Sequence, residues 1–245
     1  MRKLIFILFF AGAVFTSCSD DDSSDDGGDP PSDSVLVKST IESYEGEDLL
    51  TNYTYSGNKL VGSSDSDGYT EVFIYTDDLL TTIEEYQDGV LDFQTELGYD
   101  SSNRLISETF TFGASSNEVN GFTYNADGTI TEFEAGENTY IYTYAENGNR
   151  IAQEDVDGGQ DYTFTYDTNN NPFKNIHQRE VFELIAYYSY ENNLLDEVNT
   201  GGTPFADESS FTYTYNETNY PVSAVETITL DTGGQDVYNL QFIYE

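Results

Sequence analysis

The chain has 245 residues and carries 46 Asp and Glu against eight Lys and Arg, so its formal net charge is -38. A surface this negative repels nucleic-acid phosphates and anionic lipid headgroups, which excludes nucleic-acid binding as a function. The 16 Phe and 21 Tyr supply apolar surface for a stable core.

The first 17 residues have the pattern of a secretory signal peptide. Arg2 and Lys3 precede an apolar run from Leu4 to Phe10, and small residues follow. The run is too short for a stable membrane-spanning helix. The segment Phe15-Thr16-Ser17-Cys18 resembles a bacterial lipobox, in which the signal is cut before the cysteine and the thiol carries lipid. The resemblance implies lipid attachment at Cys18, which is the only cysteine of the chain.

Residues 18–34 are predicted to form a disordered acidic tether. The run Ser19-Asp20-Asp21-Asp22-Ser23-Ser24-Asp25-Asp26 has few apolar residues and much like charge, which favours an extended, solvated chain. An acidic stretch directly after a lipidated cysteine resembles the surface-export signal of lipoproteins from the Bacteroidetes group. The resemblance implies an outer-membrane anchor with the protein facing the cell exterior. Asp33-Ser34-Val35 also resembles the short site at which that group attaches O-glycans.

A tripeptide that ends in Tyr and begins with an aromatic residue, or with Leu97 in the unit of Tyr99, returns nine times in residues 35–245, which we interpret as a single β-repeat domain. The spacing of 20 to 29 residues is typical of repeat architectures. Residues two apart share one face of a strand, so both rings point to one side and the middle residue, most often Thr, to the other. The repeat tyrosines are Tyr55, Tyr75, Tyr99, Tyr124, Tyr144, Tyr166, Tyr190, Tyr215 and Tyr244.

Each repeat tyrosine is followed by turn-forming residues and then by a second strand. Segments such as Ser56-Gly57-Asn58 favour hairpin turns. Apolar residues of the second strands are three apart, whereas residues on one face of a regular strand are two apart. One extra residue, a β-bulge, would bring both onto the core face. We expect bulges near Leu80/Ile83, Ile130/Phe133, Phe173/Ile176, Leu195/Val198 and Val222/Val225.

Two of the turns carry a more specific pattern. Tyr99-Asp100-Ser101-Ser102-Asn103-Arg104-Leu105 and Tyr166-Asp167-Thr168-Asn169-Asn170-Asn171 resemble the YD repeats of the Rhs family. In that family successive hairpins form a spiral β-sheet, and the resemblance covers most of residues 44–245. Toxin-enclosing shells of that family need many more units than this chain has. We therefore predict an all-β fold of roughly sixteen or seventeen short antiparallel strands in a curved or partly closed meander.

Candidate catalytic groups are few in this sequence. His177 is the single histidine and is expected at the surface or rim, and no nucleophile elbow, phosphate loop or dinucleotide motif occurs. Paired carboxylates could hydrolyse glycosides, but nothing selects one pair from 46 acids. We therefore expect that the protein is not an enzyme. A carbohydrate-active enzyme that uses two acids is the alternative.

Calcium is the inorganic partner that the composition favours, because it prefers oxygen ligands. Asp65 and Asp67 stand one residue apart beside a glycine, and so do Asp155 and Asp157. These four residues are the candidate metal ligands, although turns are their expected role. No other cofactor is expected.

The anchor, the repeat and the absence of a catalytic constellation predict a surface-exposed, non-enzymatic binding or scaffold module. Exposed tyrosines suit contacts with a glycan, a peptide or a protein partner. A structural accessory subunit of a larger surface complex is the other alternative, and a large exposed apolar patch would favour it. A membrane-spanning barrel is not expected, because a lipid-facing band could not accept the carboxylates of Glu84, Glu85, Glu108, Glu132, Glu134, Glu154 and Asp155.

Overall fold

The structure is a computed structural model that describes residues 35–112, 115–134, 138–185, 189–201, 207–230 and 232–245, and for residues 115–118 it describes the backbone. The predicted signal peptide and tether, including Cys18, lie outside these ranges. No helix in these ranges has the length and apolar character needed to cross a membrane. The elements are β1 (Val37–Tyr44), β2 (Glu47–Ser56), β3 (Lys59–Asp65), β4 (Tyr69–Thr76), β5 (Leu79–Gln87), β6 (Val90–Tyr99), β7 (Leu105–Phe112), β8 (Ser115–Tyr124), β9 (Ile130–Phe133), β10 (Thr139–Tyr144), β11 (Arg150–Asp155), β12 (Asp161–Asn170), α1 (Arg179–Leu184), β13 (Asn192–Gly201), β14 (Glu208–Tyr215), β15 (Pro221–Thr229) and β16 (Gln235–Tyr244).

These strands form one closed antiparallel barrel. Each strand pairs with the next in the chain, and β1 pairs with β16 to complete the ring. The predicted all-β meander is confirmed, with the sheet fully closed. Closure removes the exposed edges at which an open sheet could pair with other chains.

Each repeat unit is a hairpin, and most units carry a bulge opposite the tyrosine. Tyr55 lies opposite Leu60 while Thr54 lies opposite Gly62, so Val61 is the extra residue. This two-against-one pairing increases local twist and places two residues that are three apart on one face. The same register shift occurs at Tyr75, Tyr99, Tyr144, Tyr166 and Tyr215.

The predicted bulges are confirmed in part. Between Leu80 and Ile83 the bulge is present and both side chains are buried, at 0% and 3% exposure. Between Ile130 and Phe133 the prediction is wrong, because this segment pairs with β8 in a regular ladder. Phe133 consequently points outward and is 54% exposed.

In two later units the bulge is present but the core-facing pair is different. The register shifts at Leu195 and at Val222, as predicted. Val198 and Val222 are nevertheless exposed, because each inward-facing pair begins one residue earlier. The buried pairs of these units are Leu194 with Glu197, and Pro221 with Ala224.

The first strand of the chain completes the last repeat. Val37 lies opposite Tyr244 and Ser39 opposite Ile243, so Lys38 is the bulged residue. This is the register found inside the other bulged hairpins. Eight units therefore close the ring, and the eighth consists of β16 and β1.

The barrel has two ends with different turns. We call proximal the end that holds the turns after the repeat tyrosines, where Val37 begins the first strand. The distal end holds the other turns, such as Glu45–Gly46 and Asp88–Gly89. Because strands alternate in direction, every hairpin contributes to both ends.

Residues 171–191 are an insertion between β12 and β13 at the proximal end. This corrects the expectation that Phe173 and Ile176 belong to a second strand, since both lie in the insertion. Tyr190 lies near its end and outside any strand, so the repeat has eight tyrosines where nine were predicted. The helix α1 is part of this segment and was not expected from the sequence.

Candidate functional site

Tyrosine hydroxyl groups link consecutive repeat units at the proximal end. The Tyr99 hydroxyl donates to the Leu80 carbonyl oxygen at 2.6 Å, and the Tyr75 hydroxyl donates to the Leu60 carbonyl oxygen at 3.0 Å. The acceptor is the residue opposite the preceding repeat tyrosine, where the bulge widens the ladder. Tyr166 and Tyr244 make the equivalent bond at 2.7 Å.

Other repeat tyrosines depart from this pattern: the Tyr144 and Tyr215 hydroxyls donate to carboxylates, and Tyr55 makes no such bond. The Tyr55 hydroxyl is buried and has no hydrogen-bond partner within the part of the chain that the structure describes. Burial raises the pKa of Tyr55 far above its ordinary value, because the phenolate would be still harder to accommodate there.

The aspartate of the Tyr-Asp dipeptide holds the hairpin turn. Asp100 Oδ1 accepts hydrogen bonds from the N–H groups of Ser102 at 2.8 Å and Arg104 at 3.1 Å. Asn216 makes the same pair of contacts, both at 3.0 Å. One side-chain oxygen thus satisfies two turn amides, which explains why both Asp and Asn occur at this position.

At Asp167 the same turn is interrupted by the insertion. Asp167 Oδ1 accepts from the N–H of Asn169 at 2.9 Å and from the N–H of Asn193 at 3.1 Å. Asn193 therefore takes the place that Arg104, four residues after Asp100, has in the uninterrupted turn. It does so although it follows Asp167 by 26 residues. The Tyr215 hydroxyl donates to the other carboxylate oxygen. The insertion is a lengthened YD turn whose two ends meet as in a short one.

Asparagines of a neighbouring turn hold the base of the insertion. Asn149 Oδ1 accepts from the N–H groups of Glu191 at 3.0 Å and Asn192 at 3.2 Å. The Asn192 side-chain oxygen accepts from the amides of Asn147 and Asn149, both at 3.0 Å. These bonds fix the direction in which the insertion leaves the sheet.

The insertion fills the proximal end with apolar side chains. Phe182 is fully buried, and its ring centroid lies 5.5 Å from that of Phe73. Full burial of such a side chain contributes about 1.5–3 kcal/mol, so this segment is part of the barrel core. The core combines Ile176, Val181, Phe182 and Leu184 of the insertion with Leu60, Phe73, Leu80, Ile83, Leu97, Leu105, Phe122 and Tyr142 of the wall.

The insertion also reaches turns of β2–β5. The His177 N–H donates to the Asn58 carbonyl oxygen at 2.9 Å, and His177 Nε2 lies 2.8 Å from the Asp78 carbonyl oxygen. Gln178 Oε1 accepts from the Leu80 N–H at 2.6 Å. His177 is therefore a rim residue, in agreement with the expectation from the sequence, and it fastens the insertion to the wall.

Arg150 and Glu183 form a buried ion pair between β11 and α1. Arg150 Nε lies 2.7 Å from Glu183 Oε1, and the side chains are 10% and 3% exposed. The guanidinium also lies 3.8 Å from the centre of the Tyr142 ring, and the Tyr144 hydroxyl donates to Glu183 at 2.9 Å. Burial opposes the positive charge, but the adjacent Glu183 carboxylate raises the pKa of Arg150 well above its ordinary value.

Further from the proximal end, which the insertion fills, carboxylates and tyrosines lie together on the inner wall. The Tyr142 hydroxyl donates to the Glu132 carboxylate, and the Tyr69 hydroxyl donates to Glu85 at 2.6 Å. Glu132 is 6% exposed, and burial raises its pKa. The alternation of each strand puts on the inside several of the acids that were predicted to exclude a lipid-facing band, namely Glu85, Glu108, Glu132 and Asp155. Glu84 and Glu154 lie on the outer wall, so the predicted exclusion of a lipid-facing band depends on those two.

Two inner-wall carboxylates flank β16 near the closure of the ring. Glu42 of β1 pairs with Leu240, and Glu226 of β15 pairs with Tyr238. Burial raises the pKa of Glu226 to about 7, and the charge of Glu42 adds to the effect. Burial also raises the pKa of Glu42. No sequence signal selects these residues, because their burial depends on which strands meet when the barrel closes.

The four calcium candidates lie at the distal end and cap turns there. Asp65 Oδ1 accepts from the N–H groups of Asp67 and Tyr69, both at 2.9 Å. Asp155 Oδ1 accepts from the N–H of Asp157 at 2.9 Å. The pairs belong to separate hairpins, β3–β4 and β11–β12, and are not brought together. Within the described ranges, no group of three or more His, Cys, Asp or Glu side chains is placed to hold a metal ion.

A closed ring of hairpins with a tyrosine before each proximal turn defines a β-hairpin-repeat shell. The family model described as the Teneurin YD-shell matches residues 47–193, which is more than half of the chain. The chain belongs to the Teneurin YD-shell family, so the predicted relationship to YD repeats is confirmed.

Comparisons with individual proteins give the following similarities. Teneurin-m of Drosophila melanogaster is 38% identical over 82 residues, a match that covers 34% of this chain and 3% of that protein. A porin-like protein from Bacteroides uniformis, solved as a crystal structure, has a TM-score of 0.40 and 10% identity, over 84% of this chain and 82% of that chain.

Proposed function

We propose that the chain is a lipid-anchored surface protein whose β-shell serves as a non-enzymatic binding or scaffold module. The observation that carries the proposal is the order of the N-terminal segments: an apolar signal-like run, then Cys18, then an eight-residue acidic run. The first strand begins at the proximal end with Val37. A tether attached there would hold the distal end away from the membrane.

Membership of the YD-shell family supports a structural role for the barrel. The plugged proximal end also supports it, because the insertion packs against the wall and its base is fixed by hydrogen bonds. A wall of this kind is a rigid support on which loops or rim side chains can bind a partner. The partner classes proposed are a glycan, a peptide or a surface protein, with calcium as the proposed ion.

The anchor is tested with the full chain expressed in a Bacteroidetes host. We expect incorporation of radiolabelled palmitate, recovery with the outer membrane, and cleavage by protease added to intact cells. Cys18→Ala should lose the label and the membrane association, because the thiol is the attachment point. Ser17→Ala is the matched control and should retain both. Unlabelled wild-type protein in the cytosol would contradict the anchor.

The ligand is tested on a glycan array with the full chain, with and without calcium. Reproducible binding of one glycan class would support glycan recognition, and its loss on chelation would support a calcium role. A silent array together with one co-purifying surface protein would favour a scaffold. Turnover of the arrayed glycans would contradict a purely non-enzymatic role.

Glu226 favours a second candidate function, that of a carbohydrate-active enzyme. Its pKa of about 7, raised by burial and by Glu42, suits a general acid at neutral pH. In that case Glu226→Gln would abolish glycan hydrolysis while Glu217→Gln, in an exposed turn, would leave it unchanged. Absence of hydrolysis by the wild-type chain on surface polysaccharides would reject this candidate.

A further inference from the structure

Positive charge is confined to one end of the barrel. All six basic residues of the described ranges lie at the proximal end or in the insertion, and residues 113–114, 135–137, 202–206 and 231 contain no Lys or Arg in the sequence. Carboxylates are thus the only fixed charges of the distal turns. The six basic residues are Lys38, Lys59, Arg104, Arg150, Lys174 and Arg179.

Four of these six cations lie within 2.7 Å of a carboxylate of their own end. Lys59 lies 2.5 Å from Asp78, and Lys174 lies 2.5 Å from Glu191. Arg104 with Asp100 at 2.6 Å and Arg150 with Glu183 at 2.7 Å complete the same arrangement. The negative electrostatic potential of the barrel is therefore strongest at the distal end.

Exposed apolar side chains are concentrated at that same distal end. Val90 is 69% exposed, Phe133 54%, Val156 52%, Phe112 50% and Leu91 46%, which makes these five the most exposed large hydrophobic residues of the described ranges. They lie at distal strand ends or turns between β6 and β11, which are neighbours in the ring. At about 4.8 Å per strand these strands span about 24 Å of the rim. Phe133 lies on the outer side of the rim, and Phe112, which pairs with the buried Phe93, lies on its inner side.

This part of the rim has surface relief that a side chain could enter. Phe112 packs edge-on against Phe93, with ring centroids 4.5 Å apart. Leu91, Asp92, Phe93, Gln94 and Thr111 line a small cleft between β6 and β7. Asp88 and Asp92 flank Val90 and Leu91 in the same hairpin, so carboxylate and apolar groups lie close together at this part of the rim.

We infer that this distal rim, comprising Val90, Leu91, Phe112, Phe133 and Val156 with Asp88, Asp92 and Asp157, is a docking surface for a basic polypeptide segment with apolar side chains. The inference rests on the proposed function for its cellular setting and names the partner class of that module. Carboxylates without cations attract a positively charged partner. Aliphatic and aromatic side chains then add affinity as water is removed, at about 25 cal/mol per Å².

Other occupants satisfy only half of this surface. A calcium ion would neutralise carboxylates but leave the aliphatic side chains in water. A glycan could stack on the rings of Phe112 and Phe133 but would leave the aliphatic Val90, Leu91 and Val156 without contacts. A basic segment with interleaved apolar residues meets both requirements, and a tether attached at the proximal end, as proposed above, would leave the rim accessible to it.

The test uses the full chain and a fluorescein-labelled twelve-residue peptide in which lysine alternates with phenylalanine, measured by fluorescence anisotropy at two salt concentrations. Two comparison peptides replace phenylalanine with serine, or lysine with glutamate. We expect the first to bind about tenfold or more weakly and the second not to bind. Equal binding of the lysine–serine peptide would overturn the inference, since it would show general charge attraction alone.

Rim variants locate the binding surface. Val90→Ser with Leu91→Ser and Phe112→Ser should weaken peptide binding about tenfold or more, because these side chains are exposed and contribute little to folding. The matched control changes Ile106 and Ile151, each 40% exposed on the outer wall near the proximal end, to Ser. Equal losses in the control would overturn the assignment to the rim. Circular dichroism verifies that each variant is folded.

Charge variants separate the peptide from a cation. Asp88→Asn with Asp92→Asn should weaken peptide binding and reduce its salt dependence. Asp77→Asn, in a proximal turn with a similar positive φ (49° against 52° for Asp88), is the control. Calorimetry with calcium chloride alone tests whether the rim is a calcium site instead. The inference would be overturned if the wild type bound calcium but not the peptide, and if the double variant lost calcium binding. Loss of lipid at Cys18 would not alter these results, so the two proposals fail separately.

Discussion

Val37 of the first strand lies opposite Tyr244 of the last strand in the same bulged register that joins the strands of other repeat units. The N-terminal strand thereby becomes the second strand of the eighth hairpin. A ring closed in this way has no free edge, so the seam between β1 and β16 supports the whole barrel. Buried side chains at the seam should affect global stability.

Val37→Ala tests the seam directly. Val37 is 0% exposed, so the substitution leaves a cavity and should lower the free energy of unfolding by about 2 kcal/mol. Urea denaturation followed by circular dichroism measures the change. Val90→Ala, at a residue that is 69% exposed, should stay within about 0.5 kcal/mol of the wild type. Equal urea midpoints for the wild type and Val37→Ala would contradict the inference that the seam between β1 and β16 supports the barrel.

The buried pair of Arg150 and Glu183 yields the second prediction. Glu183→Gln leaves the guanidinium buried without its counter-charge, and we expect a loss of about 3–5 kcal/mol in the free energy of unfolding. The double variant Arg150→Met with Glu183→Leu should recover most of this loss, because a buried ion pair is often no more stable than an apolar pair. Chemical denaturation of all three proteins measures both effects.

The control for this pair is on the surface. Arg104 and Asp100 are 2.6 Å apart, with side chains 52% and 22% exposed. Arg104→Met should cost about 0–1 kcal/mol, because solvent weakens exposed pairs. A loss of that size for Glu183→Gln would mean that water reaches the interior pair.

Tyrosine hydroxyls provide the third prediction. Tyr99→Phe removes a hydrogen bond to the Leu80 carbonyl oxygen and should cost about 1 kcal/mol in unfolding free energy. Tyr55→Phe removes a buried hydroxyl without a partner in the described ranges and should be neutral or stabilising. Thermal unfolding of both variants measures the difference. Equal destabilisation by the two changes would contradict the assignment of the Tyr99 bond.

Local features of the repeat could be predicted because they depend on short segments. The aromatic alternation, the Asn- and Asp-containing turns and the bulge at Leu80 follow from strand geometry and from turn chemistry. Closure could not, because it requires Val37 and Tyr244 to meet across the whole domain. The burial of Glu226 depends on that closure and was missed for the same reason.

The insertion was missed because the sequence imitates the repeat there. Tyr190 follows Tyr166 by 24 residues, which fits the period although no strand is present. A signal was available in Val181, Phe182 and Ile185, whose spacing of three and four residues is helical. A second signal was Pro172, which interrupts a strand.

The fourth prediction concerns pH and Glu226. Burial raises its folded-state pKa to about 7, above the unfolded value near 4.5. The folded protein therefore binds the proton more tightly. The stabilisation is complete below about pH 4.5 and is lost as pH rises through about 7. Glu226→Gln, which cannot ionise, should be more stable than the wild type at pH 8 by a margin that disappears near pH 4.

Glu42, Ser209 and Tyr238 lie close to Glu226 and influence the same transition. Glu42→Gln should shift the pH-dependent loss of stability to lower pH, because removing the Glu42 charge lowers the pKa of Glu226. Glu217→Gln, in an exposed turn, should leave the pH profile unchanged. Urea denaturation at a series of pH values compares the proteins. A constant difference between wild type and Glu226→Gln at all pH values would contradict the assignment.

The fifth prediction treats the insertion as a lengthened YD turn. Residues 168–193 are replaced by the four-residue segment 101–104, so that Asp167 again precedes a short turn and then Leu194. Arg150→Met is added because the ion-pair partner is removed. Asp167 already accepts from both ends of the insertion, so we expect the hairpin register to survive. Far-ultraviolet circular dichroism should retain a β-sheet spectrum.

The same replacement should lower stability, because the insertion contributes Phe182 and other buried side chains to the core. We expect a loss of more than about 4 kcal/mol in unfolding free energy. Phe182→Ala in the full chain tests the packing separately and should cost about 3–5 kcal/mol. Phe133→Ala on the outer wall, which removes a ring that is 54% exposed, is the matched control. If the shortened protein is as stable as the wild type, the wall is stable without the insertion. If the β-sheet is lost in the shortened protein but retained in Phe182→Ala, the short turn cannot close at Asp167.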